Sequence, residues 1–179
     1  MSTITPRAET SVPTGTFTAD TVHSNLGFEV RYMGIAFFKG AVKEFGATLA
    51  DGKLAGAARI ESLETKDENL HAHLLAPEFF DAAQHPEVTF SGELVPTGDG
   101  VEIDGEITIK GVTKPAVLRG TLTGPATDPY GNTRYGLDLT TKIDRTEFGL
   151  NWNADMPDGT KALANEVTLK AELSLVAAA

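Results

Sequence analysis

The stretch from Glu61 to Gly92 reads ESLETKDENLHAHLLAPEFFDAAQHPEVTFSG, and it interrupts a chain that otherwise consists of short alternating segments. Leu70, Leu74 and Leu75 recur at helical spacing with charged residues between them. This pattern is typical of an amphipathic helix and predicts one over residues 66–75. The stretch is therefore expected to hold the one helical element of a strand-rich chain.

The second half of this stretch carries two adjacent phenylalanines, Phe79 and Phe80. Pro77 is expected to open a second short turn of helix, because a proline at the first helical position loses no hydrogen bond. Val88 and Phe90 then begin a new strand. Because large apolar side chains are usually buried, we expect the insertion to act as a lid or plug on a sheet that closes on itself.

Alternating apolar and polar residues predict strands on both sides of the insertion. The clearest case is residues 101–110, where Val101, Ile103, Ile107 and Ile109 share one face, as in a strand with one side in water. Similar segments, separated by turn signals, run over residues 16–19, 25–33, 38–49, 53–62, 88–95, 116–123, 135–143 and 166–175, with a loop expected over 124–133. About eight or nine short strands favour an antiparallel barrel or sandwich.

Small residues at inward positions predict a hollow interior. Gly105, Gly120 and Ala171 fall on the apolar faces of their strands. Barrels of about eight strands either fill with side chains or hold one small ligand. The sequence therefore predicts a mainly all-β fold, an antiparallel β-barrel of about eight strands with a short helical insertion and internal space.

Composition excludes several classes of function. The formal net charge of the 179 residues is −10, and an acidic surface repels nucleic acid and anionic lipid headgroups, so we expect neither a nucleic-acid partner nor stable membrane anchoring. The absence of cysteine excludes disulfides, thiolate nucleophiles and cysteine-type zinc sites. We expect a flexible arm over residues 1–14 and a single domain over 15–179. No apolar run typical of a signal peptide opens the sequence, so a cytoplasmic location is expected unless a leader was removed.

Several motifs occur in a distinctive order. They are Phe17–Asp20, His23-Ser24, Leu26–Arg31, His73-Leu74, Glu78–Asp81, His85–Phe90, Gly105–Pro115 and Ile143–Gly149. Together they resemble the bacterial YceI-like family, whose members are often called polyisoprenoid-binding proteins. The likeness covers roughly residues 16–176. It implies a lipocalin-like antiparallel barrel with a long apolar pocket for an isoprenoid or similar lipid chain.

One position departs from the family pattern. The family usually carries Arg-Asp shortly before the His-Leu pair, whereas this chain has Leu70-His71 there. If the Arg-Asp pair holds a head group or braces the helix, this chain must do so differently.

Large apolar side chains are the candidate walls of the pocket. They are Phe28, Val30, Tyr32, Phe38, Leu74, Phe79, Phe80, Phe90, Leu139, Phe148 and Trp152. At about 0.8 kcal/mol per buried methylene, a five-carbon isoprene unit could gain roughly 3–4 kcal/mol before ordering costs. The alternative for each residue is ordinary core filling.

Polar candidates are few. His23, Asp144 and Arg145 are expected either to contact a head group or to serve structure, with Asp144 and Arg145 forming an ion pair at a strand end. His71 and His73 would not share a face of a helix, so no metal site is expected, because three or four ligands must converge. Neither a nucleophile elbow nor a glycine-rich phosphate loop occurs in the sequence, so no catalytic residue is assigned.

The expected function is non-enzymatic. We expect the barrel to bind an isoprenoid or similar long-chain lipid, such as a polyprenyl phosphate or an isoprenoid quinone, for transport, storage or sequestration. The lipid is then the expected ligand and no separate cofactor is required; a homodimer is compatible with the sequence. Two alternatives remain open. One is an enzyme that acts on a lipid-like substrate in the same cavity, with His23, Asp144 and Arg145 as its only polar candidates. The other is a stress-related scaffold protein. A fold by itself does not decide among them.

Overall fold

The computed structural model describes residues 11–178, which form eleven strands and one α-helix. The strands are β1 (Thr16–Ala19), β2 (Asn25–Tyr32), β3 (Ala36–Val42), β4 (Phe45–Ala50), β5 (Lys53–Arg59), β6 (Leu63–Glu64), β7 (Glu87–Pro96), β8 (Val101–Ile109), β9 (Val112–Thr127), β10 (Thr133–Asp144) and β11 (Leu163–Ala177). The helix α1 is Glu68–Leu75. Short 3-10 turns occupy Ile60–Ser62 and Arg145–Phe148. Within residues 11–178, no helix is both long and apolar enough to cross a membrane.

Eight of these strands close into an antiparallel barrel. The ring runs β1, β4, β5, β7, β8, β9, β10 and β11, and β1 closes it by pairing with both β4 and β11. The long strand β11 pairs with β2 along its first part and with β1 at its end, so β2, β3 and β6 extend the wall on one side. The predicted barrel of about eight strands is confirmed.

Alternation within the strands produces two buried clusters. In β8, Val101, Ile103, Ile107 and Ile109 are all buried, while the polar residues between them face outward. The first cluster contains Phe17, Leu49, Leu54, Leu94, Val101, Ile103, Leu118, Leu137, Leu139, Leu173 and Leu175. The second contains Val30, Ile60, Leu63, Leu74, Phe79, Ala82, Ile107, Ile109, Phe148, Leu150 and Leu163. The helical insertion belongs to the second cluster.

Helix α1 begins slightly later than predicted. Asp67 caps it, and its carboxylate accepts a hydrogen bond from the Leu70 N–H at 2.9 Å, which satisfies one free donor of the first turn. The predicted second helical turn at Pro77 is wrong. The chain reverses there instead, because the Phe80 N–H donates back to the Leu74 carbonyl at 3.1 Å and forms a turn rather than a helical ladder.

The inward glycines have a different role from the predicted one. A Cβ on Gly105 would collide with the Ser91 carbonyl, and one on Gly120 would collide with the Asp138 carbonyl. Both glycines therefore let neighbouring strand backbones approach closely. Neither lines the internal cavity, whereas Ala171 does.

Two predicted boundaries change. The loop expected over 124–133 is shorter, because β9 runs to Thr127 and β10 begins at Thr133. Of the expected N-terminal arm, residues 1–10 lie outside the described residues, and Val12 packs half-buried against the first cluster. The single-domain assignment stays a prediction.

Candidate functional site: an apolar cavity in the barrel

A cavity of about 590 Å³ lies inside the barrel, with walls drawn from both clusters. Its volume is in the range of about 300–1,000 Å³ that is typical of small-molecule sites. The walls are overwhelmingly hydrocarbon, and no carboxylate is among the described residues that line them. The charged side chains of the lining are Arg145 and Lys170. A cavity with such walls is suited to an apolar ligand.

Ten of the eleven apolar residues proposed from the sequence line this cavity. They are Phe28, Val30, Tyr32, Phe38, Leu74, Phe79, Phe80, Phe90, Leu139 and Trp152. Phe148 is not among the residues that line it, and its side chain packs within the second cluster. The structure thus brings the ten together, and their contact with a ligand stays a prediction.

Much of the apolar wall was not identified from the sequence. Missed residues include Leu26, Phe37, Val42, Phe45, Leu54, Ile60, Leu63, Leu70, Ile107, Ile109, Val167 and Leu169. Strand alternation identifies their inward face, but an inward leucine that touches a void has the same sequence pattern as one that touches a neighbour.

The entrance is marked by large apolar side chains that both line the cavity and reach solvent. Tyr32, Phe37 and Trp152 are 47%, 53% and 37% exposed. Met33 and Ile35, in the turn between β2 and β3, are exposed as well. A cluster of exposed apolar groups of this kind commonly marks an interaction or ligand-binding surface. We call these five residues the entrance cluster.

Arg145 is a buried cation that holds backbone carbonyls. Its side chain donates from Nε to Ala164 O at 2.8 Å, from Nη1 to Leu150 O at 2.5 Å and Trp152 O at 2.8 Å, and from Nη2 to Leu163 O at 3.3 Å. The residue is only 3% exposed, and burial lowers the pKa of its guanidinium. Arg145 therefore fixes the segment that carries Trp152 against the start of β11.

The expected ion pair between Asp144 and Arg145 is wrong. Asp144 instead accepts hydrogen bonds from the Thr146 hydroxyl at 2.6 Å and the Thr146 N–H at 2.9 Å. These bonds lower the pKa of the Asp144 carboxyl and cap the following 3-10 turn. The Arg145 guanidinium instead donates to the four carbonyls described above.

His23 lies away from this cavity. Its Nδ1 is 2.7 Å from Asp20 Oδ2, and the ring borders a separate polar depression that includes Arg134. Arg134 also pairs with Asp20 at 3.0 Å and with Asp128 at 2.7 Å. Hydrogen bonds from His23 and Arg134 lower the pKa of Asp20 to about 2, and Arg134 holds the pKa of Asp128 well below its usual range. His23, Asp144 and Arg145 are therefore not assembled around one site.

His73 is a polar residue of the cavity wall that was not assigned from the sequence. Its Nδ1 lies 2.8 Å from Glu78 Oε1. Its ring packs edge-on against Phe79 and Trp152, with centroid distances of 5.0 and 4.7 Å. Its Nε2 is buried and has no hydrogen-bond partner in the protein. The sequence holds no local signal for this arrangement, because Glu78 and Trp152 reach His73 only through the turn after α1 and the tertiary fold.

Leu70 and His71, which replace the usual Arg-Asp pair of the family, both have defined contacts in the structure. Leu70 lines the cavity, and the His71 ring nitrogen Nε2 donates to the Glu61 carbonyl at 3.1 Å. His71 thereby braces α1 against the end of the preceding strand region. Within residues 11–178, no group of three or more His, Asp or Glu side chains is arranged to hold a metal ion.

A second brace fixes the turn after α1. The Lys110 ammonium donates to Pro77 O at 2.8 Å and to Gly149 O at 3.3 Å. Lysines at such a turn are usually solvated, but this one ties the insertion to the 3-10 turn that follows β10.

Comparison with known proteins identifies the family to which this chain belongs. A model of the YceI-like domain matches residues 17–175. The chain belongs to the YceI-like family. It is 30% identical over 142 residues to a UPF0312 protein of Photorhabdus laumondii, which covers 75% of this chain and 73% of that protein. It is 30% identical over 136 residues to protein YceI of Escherichia coli O157:H7, which covers 72% and 71% of the two chains.

Solved structures of YceI proteins share the barrel. The YceI protein of Campylobacter jejuni superposes with a TM-score of 0.70 at 25% identity, over 89% of this chain and 96% of that one. A polyisoprenoid binding domain from Saccharophagus degradans, described as implicated in plant cell wall breakdown, superposes with a TM-score of 0.62. It covers 90% of this chain and 98% of that domain at 12% identity, which supports likeness of fold alone.

Proposed function

We propose that this protein binds a hydrophobic isoprenoid or a similar long-chain lipid inside its barrel, for carriage, storage or sequestration. The observation that carries the proposal is the apolar cavity of about 590 Å³, whose wall lacks carboxylates among the described residues. The description of the Saccharophagus degradans domain as polyisoprenoid-binding is in accord with it.

The cavity volume sets the size of the ligand. If each carbon group fills about 30 Å³, as a water molecule does in the liquid, the space holds about 20 carbons. That corresponds to about four isoprene units. Their burial supplies about 16 kcal/mol before costs, at about 0.8 kcal/mol per group, and the ordering of a flexible chain removes a large part. Apolar contact alone can thus give useful affinity.

The entrance cluster supports loading from a lipid phase. Tyr32 and Phe37 belong both to the cavity wall and to the exposed surface, so a chain can leave a membrane or vesicle along a continuous apolar path. The net charge of −10 opposes lasting attachment to an anionic bilayer. A brief collision followed by release suits a carrier better than an anchored protein.

A non-enzymatic role is proposed because the polar residues required by the alternative are dispersed. His23 lies with Asp20 and Arg134, Asp144 caps a turn, and Arg145 uses its donors on carbonyls. The cytoplasmic location and the homodimer stay predictions.

The test is native mass spectrometry of the freshly purified protein, followed by organic extraction and identification of the lipid. A stoichiometric prenyl or acyl chain supports the proposal. Val88→Trp, which fills the cavity from β7, should lose the ligand, whereas Ser91→Trp on the exposed face of the same strand should retain it. Failure of the delipidated protein to bind any prenol, such as geranylgeraniol, would refute the proposal.

A further inference from the structure

Among residues 11–178, the Nε2 atom of His73 is the one buried side-chain nitrogen or oxygen that lacks a hydrogen-bond partner. Buried polar atoms are normally paired, because each unpaired group costs free energy. This atom also belongs to a residue that lines the cavity. A missing partner inside a ligand cavity points to a group on the ligand.

The neighbours of His73 decide which kind of group that is. A carboxylate can only accept hydrogen bonds, so the 2.8 Å contact with Glu78 places a proton on Nδ1. In the neutral ring, Nε2 then carries a lone pair and acts as an acceptor. The imidazole packs edge-on against Phe79 and Trp152, and no hydrogen-bond donor of the described residues reaches Nε2. In the neutral ring, the unpaired Nε2 therefore requires a donor from the ligand.

We propose that His73 accepts a hydrogen bond from a hydroxyl at the head of the bound lipid. The ligand class is an isoprenoid that ends in an O–H group, such as a prenol, a prenylated phenol or a quinol. The inference rests on the proposed function and deepens it. Glu78 is a positioning residue, because it holds the tautomer and orientation of the imidazole without facing the hydroxyl.

The same geometry selects against the two other head groups considered for this barrel. An oxidised quinone presents carbonyl oxygens, which are acceptors and cannot satisfy a lone pair. An ionised phosphate would bring negative charge toward both the lone pair and Glu78. The two charged side chains of the lining already have partners: Arg145 donates to four carbonyls, and Lys170 donates to Glu29 at 2.6 Å. The site is thus built for a neutral donor.

The position of His73 also orients the ligand. Its ring contacts Trp152, which is 37% exposed at the entrance. A hydroxyl bound there lies near the mouth, and the isoprenoid tail extends into the cavity. This arrangement matches a lipid that enters tail first.

The experiment compares geranylgeraniol with geranylgeranyl methyl ether, which has the same tail and oxygen but cannot donate. Both are titrated at pH 8 into delipidated wild type, His73→Phe and His71→Phe. Phenylalanine keeps the ring contacts of His73 and removes Nε2. His71 is the matched control, since it lies on the same helix and bonds the Glu61 carbonyl outside the cavity wall. Wild type and His71→Phe should bind the alcohol about 5- to 10-fold more tightly than the ether.

In His73→Phe, the preference for the alcohol should fall to about 1-fold, while binding of the ether stays within about 3-fold of wild type. Equal binding of both ligands by wild type would overturn the assignment while leaving lipid binding intact, as would a preference that survives in His73→Phe. Binding of neither ligand by wild type would instead refute the proposed function and this inference with it. A perturbation of the His73 Nε2 resonance by the alcohol and not by the ether, in nitrogen NMR of the wild type, supports the bond; its absence contradicts it.

Discussion

Replacement of Arg145 by methionine should destabilise the fold strongly, and the size of the effect follows from its contacts. Four hydrogen bonds to backbone carbonyls are lost in Arg145→Met. The Leu163 carbonyl keeps a second donor, Asn153 Nδ2 at 2.7 Å, so three carbonyls lose their side-chain donor. At about 1–1.5 kcal/mol for each of these three, the loss is about 3–4.5 kcal/mol. Removal of the buried charge returns part of this, because desolvation of an ion costs several kcal/mol. The expected net loss in the free energy of unfolding is about 2–3 kcal/mol.

The assay is urea unfolding at pH 7, followed by tryptophan fluorescence and by circular dichroism. Trp152 is the single tryptophan of the sequence, and its carbonyl is one of the four acceptors, so its fluorescence reports this region directly. Arg119→Met is the matched control. Arg119 pairs with Glu102 at 3.1 Å on the surface, with 65% of its side chain exposed, and such pairs contribute about 0–1 kcal/mol.

Arg145→Lys separates charge from geometry. A lysine ammonium has three donors at one point and cannot span the four carbonyls that the planar guanidinium reaches. It should therefore restore less than half of the lost stability. Two results would show that Arg145 does not fix the Trp152 segment. One is a free energy of unfolding of Arg145→Met within about 1 kcal/mol of wild type. The other is a loss no larger than that of Arg119→Met.

Three further predictions concern packing, charge and ligand size. Gly40→Ala should lower the free energy of unfolding by about 1–3 kcal/mol and weaken prenol binding, because its Cβ would collide with the Phe28 ring in the cavity wall; Gly46→Ala, whose Cβ would meet open space, should change little in the same urea titration. The pKa of Asp20 falls from 3.8 to about 2 on folding, so its carboxylate stabilises the fold above about pH 4, and this contribution is lost as the pH falls through the folded value. Arg134→Met should therefore reduce the decline in stability between pH 4 and pH 2, and an unchanged decline would contradict the role of the pair. In a series of prenols of increasing length, affinity should rise with each isoprene unit up to about 20 carbons and then level off; a continued rise in calorimetric titrations would show that the cavity does not limit the chain.

Some of the fold could be predicted because it depends on local pattern. In β8, alternation alone identified Val101 and Ile103 as inward residues, since successive side chains of a strand point to opposite faces. The same rule applies to the proposed wall residues that lie on strands, which are Phe28, Val30, Tyr32, Phe38, Phe90 and Leu139. Residue type alone could not separate Phe148, which packs in the core from a 3-10 turn, from Phe90, which lines the cavity.

The close approach of neighbouring strand backbones could not be predicted from the sequence either. Gly105 and Gly120 look in sequence like residues that leave room, yet their missing Cβ atoms accommodate the carbonyls of neighbouring strands. Whether a glycine leaves internal space or allows two strand backbones to approach closely depends on how the sheet bends when it closes. That bend results from the pairing of all eight strands and cannot be read from one of them.

The sequence by itself determined the antiparallel barrel, its helical insertion and its membership of the YceI-like family, because these follow from period, turn residues and ordered motifs. Only the tertiary structure decided what the polar residues do. Arg145 stands next to Asp144 in the chain but bonds carbonyls up to 19 positions away, and His73 acquires Glu78 and Trp152 through a turn and a distant loop. The physical reason is that polar side chains in a nearly dry interior take the partners that closure of the barrel brings within hydrogen-bond distance, whatever their separation along the chain.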